Sequence, residues 1–223
     1  MSPRVSRVSR EEIVNAALEL IDRVGIGRLT VRGVAKKVEL PTMSLYSHFG
    51  SKDELLDFMY AEVARRIYTD HGLDTWQREL SALCNQVRGL LLEHPQWVEL
   101  LARPAPPSCI PRPERLMRLF EQDGIAPSRA IEAIWSVALV ALGWVMVELR
   151  FRDSEQRNGF AARFERLKRA IESGADDDPT PLTREAVASL PSLDFGERFA
   201  HVLHTIVAGL ELSRVPAAHS LSG

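Results

Sequence analysis

Residues 42–55 read Thr-Met-Ser-Leu-Tyr-Ser-His-Phe-Gly-Ser-Lys-Asp-Glu-Leu, and this stretch decides the fold of the chain. The stretch follows Pro41, starts with small polar residues and is interrupted by Gly50. The pattern predicts a short helix over about 42–49, with Leu45 and Phe49 facing inward. Ser51 then offers an N-cap for a further helix.

A second short helix is expected immediately upstream. Apolar residues recur there at the spacing of one helical face, at Val31, Val34, Ala35 and Val38. Thr30 precedes them as an N-cap, and residues 39–41, Glu-Leu-Pro, form the turn that follows. Two short helices across a tight turn, the second with polar side chains outward, are the geometry that places a helix in a DNA major groove. The pattern therefore predicts a helix-turn-helix.

The chain resembles a known family at these positions. Ala35 before the turn, Leu-Tyr-Ser-His-Phe at 45–49 and Ser-Lys-Asp-Glu-Leu at 51–55 are similar to the pattern of the tetracycline-repressor (TetR) family of bacterial transcription regulators. The resemblance implies an all-α fold, with a three-helix helix-turn-helix domain over 8–69 and a helical effector-binding and dimerisation domain over 74–215. Glu39 departs from the pattern, since the family usually has a glycine there.

Shorter matches extend the resemblance into the second half. Trp76-Gln77, Gly143 with Glu148, and Gly209-Leu210-Glu211 resemble the effector domain of the tetracycline repressor, for which the family is named. Apolar periodicity predicts helices over 76–93, 97–102, 114–122, 127–152 and 195–212, and no strand pattern occurs.

The resemblance assigns roles to residues of the helix-turn-helix. It implies that Tyr46, His48 and Lys52 contact backbone phosphates, and their side chains are all suitable donors. Arg32 is expected to be the main base reader, because a guanidinium bonds guanine O6 and N7 together. Further base readout is expected from the leading end of the third helix, at Thr42, Met43, Ser44 and Ser47. The alternatives are half-buried Tyr46 and His48 in a small core and a solvated Arg32.

The charge distribution agrees with a protein that presents one end to nucleic acid. Residues 1–52 hold nine Lys or Arg and five Asp or Glu, which gives +4. The whole chain carries −2, so the remaining residues carry −6. A basic end on an acidic body suits binding to phosphates.

Composition and length narrow the setting. The 223 residues leave room for one further domain beside a helix-turn-helix. Cys84 and Cys109 lack metal-ligand spacing, so we expect a reduced, cytoplasmic environment, with a redox pair as the lesser alternative. No apolar run follows the N-terminal arginines, and no signal peptide is expected. The longest uncharged stretch, 133–147, has 15 residues, which is short for a membrane span. We interpret it as a helix buried on nearly all sides.

A homodimer is expected, because one helix-turn-helix reads only half of a palindrome. The helices over 127–152 and 195–212 carry apolar residues around most of their circumference. A helix with two apolar faces needs two partners. We therefore expect these helices to pair with their copies in a four-helix bundle.

The second domain is expected to hold a small apolar effector. The candidate lining is aromatic and aliphatic, with Arg103 and Glu148 as orienting charges, although aromatic residues at helical spacing are also typical of plain core. The apolar members are Leu83, Val87, Trp97, Leu100, Met117, Phe120, Trp135 and Leu139. Glu148 matches the glutamate that helps to hold drug-bound magnesium in the tetracycline repressor, but residues 98–101 offer no matching histidine. Neither tetracycline nor a metal cofactor is expected.

The most consistent hypothesis is a homodimeric repressor that an effector releases from a palindromic operator. The alternative is an all-helical small-molecule-binding protein or enzyme without DNA binding. We find no paired-carboxylate site, nucleophile–base pair or phosphate-binding loop in the sequence, so no enzymatic activity is expected.

Overall fold

The computed structural model describes residues 8–104, 106, 113–152 and 195–212, with isolated positions at 162, 166, 169, 170 and 173. All regular structure in these residues is helical, which confirms the predicted all-α class. The helices are α1 (Arg10–Val24), α2 (Val31–Lys37), α3 (Thr42–Tyr46), α4 (Lys52–Ile67), α5 (Trp76–Glu93), α6 (Trp97–Leu101), α7 (Glu114–Gln122), α8 (Pro127–Arg152) and α9 (Phe195–Leu212), with a 3₁₀ turn at Ile26–Arg28. Helix α3 is shorter than predicted, and residues 47–49 continue it as a hydrogen-bonded turn.

Side-chain caps begin the N-terminal helices where the sequence predicts them. The Glu12 backbone N–H donates to Ser9 Oγ over 3.1 Å, and the Ser9 N–H donates to Glu12 Oε2. Thr30 Oγ1 accepts from the Gly33 N–H, and Ser51 Oγ accepts from the Glu54 N–H. Each cap pairs an N–H that the helix leaves without a partner, and a cap of this type contributes about 1 kcal/mol.

Helices α1 to α4 share one apolar core. The inward residues include Ile13, Ala17 and Ile21 on α1, Val34 and Ala35 on α2, Leu45 and Phe49 at α3, and Leu55, Met59 and Val63 on α4. All of them are at most 2% exposed, which confirms the inward prediction for Leu45 and Phe49. The ring of Phe49 meets Phe58 of α4 edge-on, with centroids 5.5 Å apart.

The turn between α2 and α3 is a Schellman motif with an unusual residue at its centre. The Leu40 N–H donates to the Ala35 carbonyl over 2.9 Å, and the Glu39 N–H donates to the Lys36 carbonyl over 3.3 Å. Glu39 has a φ of +54°, the left-handed region that favours glycine. Glu39 therefore has a strained backbone at the position where the resemblance led us to expect a glycine. The same motif ends α7, where Gly124 has a φ of +73°.

The chain divides into two compact units, Met1–Ala138 and Leu139–Gly223. In the first unit, Trp76 of α5 stacks on Phe120 of α7 at 4.9 Å, and its indole N–H donates to Asp123 over 2.8 Å. In the second unit, Trp144 of α8 contacts Phe195 and Phe199 of α9. The expected domain boundaries, 8–69 and 74–215, remain predictions, and residue 215 lies outside the described residues.

Helix α8 is not buried on nearly all sides, so that interpretation of 133–147 is wrong for the single chain. Ala133, Val137, Ala141 and Val145 are buried. An exposed apolar set, which we call the α8 stripe, comprises Ile131, Trp135, Leu139, Met146 and Val147, each about half exposed or more. By length and hydropathy α8 is the one described helix able to cross a membrane, but the core helix of a soluble protein meets the same criterion.

Replacing Glu39 with glycine is expected to stabilise the protein. A non-glycine residue in the left-handed region costs about 1–2 kcal/mol, and the greater unfolded-state freedom of glycine returns part of that. We expect a net gain of about 0.5–1 kcal/mol in the free energy of unfolding, measured by urea denaturation. Glu39→Ala is the matched control, because it removes the carboxylate and keeps the Cβ. An equal gain in both variants would attribute the effect to charge and not to the backbone.

Candidate functional site

The predicted DNA-contacting residues lie together on the helix-turn-helix, and none of them is buried. Met43 is 79% exposed and Tyr46 44% exposed. Arg32, Ser47 and Lys52 are exposed, whereas Thr42, Ser44 and His48 are half-buried. All eight side chains are therefore accessible in part, and their separate roles in phosphate contact and base readout remain predictions.

Local hydrogen bonding limits what α3 can offer to a base edge. The Ser47 hydroxyl donates to the Ser44 carbonyl over 2.6 Å, which leaves its oxygen as an acceptor. The Met43 thioether can provide little beyond apolar contact, for example with a thymine methyl. We therefore expect any hydrogen-bond readout to rest mainly on Thr42, Ser44 and Arg32.

Arg10 of α1 supports the end of the recognition helix, a role that the sequence analysis missed. Its guanidinium donates to the His48 carbonyl over 2.9 Å. The same group lies 4.7 Å from the centroid of Phe58 and 5.6 Å from that of Phe49. Arg10 thus ties the start of α1 to the segment that carries His48. Its position beside a capping serine gave no sequence signal for this role.

Helix α6 is connected to α1 and α4 through polar and aromatic contacts. The Arg66 guanidinium of α4 donates to Glu62 over 2.8 Å and to Asn15 of α1 over 2.7 Å, and it lies 5.4 Å from the ring of Trp97. His94 stacks on Trp97 at 3.9 Å, and its Nδ1 is 2.8 Å from Asp22 Oδ2 of α1. The pKa of the Glu62 carboxyl is lowered, chiefly by its hydrogen bond to Arg65. Trp97 of α6 therefore contacts α4 through Arg66, and α4 is one of the helices that support α3.

Most predicted apolar effector residues form packed core. Leu83, Val87, Trp97, Leu100 and Phe120 are at most 7% exposed, and Met117 is half-buried. The Trp97 indole N–H is buried and has no hydrogen-bond partner among the residues that the structure describes.

The other predicted effector residues lie elsewhere. Trp135 and Leu139 belong to the exposed α8 stripe. Arg103 already pairs with Asp53 of α4, with Nη2 and Oδ1 3.3 Å apart. Glu148 is 6% exposed and lies in the second unit. The structure therefore does not bring these ten side chains to one open pocket in the first unit.

An open cleft of about 190 Å³ lies instead beside the end of α4. Of the predicted residues only Leu83 lines it. The remaining lining was not predicted from the sequence and consists of Tyr68, Thr69, Asp70, Glu79, Pro113, Glu114, Arg115, Leu116 and Arg118. The cleft is formed by the segment after α4, one face of α5 and the first turns of α7.

Glu79 organises one wall of the cleft. Its side chain is about 95% buried, and its two carboxylate oxygens accept from the backbone N–H groups of His71 and Leu73 over 2.8 and 3.0 Å. These bonds replace the water that the carboxylate loses on burial. A sequence signal existed, since Glu79 falls on the apolar face of α5 between Trp76 and Leu83.

Other polar and charged side chains also line the cleft. Arg115 Nε lies 3.2 Å from Asp70 Oδ1, and Arg115 Nη2 donates to the Leu73 carbonyl over 2.7 Å. Burial raises the pKa of the Tyr68 hydroxyl to about 12, so it is a neutral donor at physiological pH. The cleft therefore offers hydrogen-bond donors to a ligand at Tyr68, Arg115 and Arg118.

Redox and metal chemistry have little support in the described residues. Burial raises the pKa of the Cys84 thiol to about 12, so the reactive thiolate is scarce. Cys109, the other member of the redox alternative, lies outside the described residues. No group of three or more His, Cys, Asp or Glu residues in the described part of the chain is arranged to hold a metal ion.

Two family models together match most of the chain. Residues 13–59 match the model for bacterial regulatory proteins of the tetR family, and residues 69–214 match the model for the tetracyclin repressor-like C-terminal domain. The two matches cover the helix-turn-helix and the helices that follow it.

Individual relatives match over comparable lengths. The chain is 29% identical to tetracycline repressor protein class D from Escherichia coli, over 93% of this chain and 91% of that protein. It is 28% identical to the HTH-type transcriptional repressor DrrR1 from Streptomyces coeruleorubidus, over 91% and 77%. The crystal structure of ActR from Streptomyces coelicolor with actinorhodin has the same fold, with a TM-score of 0.70, 23% identity and coverage of 93% and 98%.

Two substitutions are expected to separate base readout from phosphate contact. Arg32→Ala should reduce the preference for specific over scrambled DNA by about 1–3 kcal/mol, because it removes a bidentate guanine contact. Lys52→Ala should weaken binding to both sequences alike and reduce the slope of log affinity against log salt by about 1. Both are measured by fluorescence anisotropy at several salt concentrations. An unchanged preference in Arg32→Ala would remove Arg32 from the base-reading residues.

Proposed function

Because the chain belongs to the TetR family of bacterial regulators, we propose that it is a homodimeric repressor released from a palindromic operator by a small-molecule effector. The family establishes a DNA-binding, effector-responsive transcriptional regulator. The observation that carries the proposal is the accessible polar surface of α3, held on a close-packed support by Leu45 and Phe49.

DNA binding uses α3 and its neighbours. The exposed residues of α3 face one major groove, and Arg32 adds base readout from α2. Tyr46, His48 and Lys52 hold the phosphates on either side. Since a single α3 covers half of a two-fold site, a palindromic operator needs a second copy of the chain.

The second copy binds through the helices 127–152 and 195–212. Support comes from the α8 stripe, since five large apolar side chains at or near half exposure on one helix are unusual for a free surface. A partner helix laid along the stripe removes this apolar area from water. The half-buried Ile206, Val207 and Leu210 of α9 extend the apolar surface.

The effector has an apolar or aromatic body and binds in the cleft beside α4. Leu83 and Leu116 supply apolar lining. The charged residues of the lining, such as Arg115 and Arg118, require the effector to carry a polar group as well. The relative ActR was crystallised with actinorhodin, which supports a small-molecule ligand for this fold. The other predicted apolar residues of α5 to α7, which are Val87, Trp97, Leu100, Met117 and Phe120, do not line the cleft.

Release follows from a shift between two dimer arrangements. Effector binding favours the arrangement whose α3 helices do not fit successive major grooves. The links from α6 and α7 to α1 and α4 provide the physical connection, through Trp97, Arg66 and Asp70. The effector must bind the released arrangement more tightly, because equal affinity shifts nothing.

The alternative, an all-helical binding protein or enzyme without DNA binding, leaves the basic helix-turn-helix without a role. The relatives of this chain are transcriptional regulators. A cytoplasmic location suits a protein that must reach DNA. No cofactor and no membrane association are needed for this activity.

Electrophoretic mobility shift with the promoter region of its own gene tests the function. We expect a retarded band that an excess of unlabelled specific DNA removes and scrambled DNA does not. A releasing effector should restore the free probe, and EDTA should have no effect on release. The alternative would be favoured if the protein does not retard this promoter and binds a ligand with the same affinity whether or not DNA is present.

Charged substitution in the α8 stripe is expected to split the dimer. Val147→Arg places a charge on an exposed apolar surface that the second copy should cover, so light scattering at micromolar concentration should give the monomer mass. Operator affinity should fall by orders of magnitude, since each half-site is then bound separately. Val145 is unsuitable because it is fully buried within one chain.

Val24→Arg is the matched control for mass. Val24 is 39% exposed and lies on α1, so it is not part of the stripe. It should leave the molecular mass of the dimer unchanged. A wild-type protein of monomer mass at this concentration would contradict the proposed dimer.

A further inference from the structure

The cleft beside α4 opens at the N-terminus of α7. Pro113, the residue before this nine-residue helix, provides no side-chain cap. The first backbone hydrogen bond runs from the Met117 N–H to the Pro113 carbonyl, so the N–H groups of residues 114–116 precede it. These groups and the helix dipole give this end of the cleft positive character, which favours an anion.

Side chains independent of the helix end add to this character. Arg115 and Arg118 both line the cleft. Tyr68 lines it as well, and with a pKa of about 12 its hydroxyl stays protonated and can donate to an anion. Guanidinium groups match the planar, two-oxygen geometry of a carboxylate.

The acidic residues of the lining do not reverse this preference. Both Glu79 oxygens already accept from backbone N–H groups. Asp70 accepts from the Gly72 N–H and pairs with Arg115. Glu114 and Arg118 are both exposed, so solvent screens both of these charges, whereas Arg115 is half-buried. The Asp70 carboxylate therefore occupies the position beside Arg115 that a ligand carboxylate would prefer.

The size and apolar lining limit the rest of the ligand. The volume is about 190 Å³, and a cavity of about 150 Å³ accepts benzene. Leu83 and Leu116 offer apolar surface to a ring. One or two aromatic rings with a single carboxylate satisfy both conditions.

We propose that the effector is a small aromatic carboxylic acid whose carboxylate binds between Arg115 and Arg118 and displaces Asp70 from Arg115. This inference rests on the effector-responsive function proposed above. The Asp70–Arg115 pair is more than a third exposed on both sides, so it is weak and readily exchanged. Asp70 follows the last residue of α4 by three positions, and its release removes one connection between α4 and α7.

Isothermal titration calorimetry on the full-length protein tests the ligand class directly. The probes are salicylate and 1-naphthoate, with salicylamide and 1-naphthamide as neutral matches and 1-naphthylmethylamine as a cationic competitor. We expect the acids to bind at least tenfold more tightly than their amides, the discrimination typical of a charged hydrogen-bonded group. The same acids should reduce operator retardation.

Two variants are expected to act in opposite directions. Arg118→Gln should weaken acid binding about tenfold and leave operator affinity unchanged. Asp70→Asn should tighten acid binding by about two- to fivefold, because the competing carboxylate is gone and the shape is kept. A variant that merely damages the fold would weaken both acid and operator binding. Arg78→Gln, an exposed arginine outside the lining, is the control and should change neither.

The outcomes distinguish this inference from the function on which it rests. Equal binding of acids and amides, tighter binding of the amine, or no binding of either acid at millimolar concentration overturns the inference. Unchanged acid affinity in both Arg118→Gln and Asp70→Asn also overturns it, because the acid then binds elsewhere. Operator retardation by the unliganded protein is measured separately, and its absence is a failure of the proposed function itself.

Discussion

The burial of Leu45 and Phe49 is the constraint on which the rest of the structure depends. Helix α3 has five residues, and an isolated helix of that length is not stable in water. It persists because these two side chains are at most 2% exposed in a core completed by α1, α2 and α4. The polar residues of α3 are presented to DNA only as a consequence of that burial. Arg10 and the strained Glu39 turn then set the two ends of the segment.

Polar contacts connect this support to the helices that follow it. Arg66 of α4 contacts the ring of Trp97, and Asp22 of α1 contacts His94. Glu79 and Arg115 hold the segment between α4 and α5 through its backbone. Each contact is modest, but together they place charged groups where the apolar periodicity had indicated only core. Of these residues, Glu79 and Arg115 also line the cleft, so a ligand there would lie beside their contacts.

Helix α8 combines a buried face and an exposed apolar face in one chain. The sequence predicted a helix buried on nearly all sides, and periodicity could not separate burial within the chain from burial against a second copy. Either kind of burial favours the same apolar composition, because either would remove the side chains from water. The α8 stripe is the part of this surface that a single chain leaves exposed.

The sequence by itself determined the helices, their caps and the helix-turn-helix, because these depend on residues within a few positions of one another. Ser9, Thr30 and Ser51 each cap a helix through an N–H three residues along the chain. Only the tertiary structure decided which side chains line the cleft. Tyr68, Glu79 and Arg115 are separated by up to 47 positions, and their proximity depends on how α4, α5 and α7 pack. Most of the apolar residues expected to line a pocket are buried in the structure, and the same aromatic and aliphatic residues fill a core or line a pocket, so local sequence does not distinguish the two.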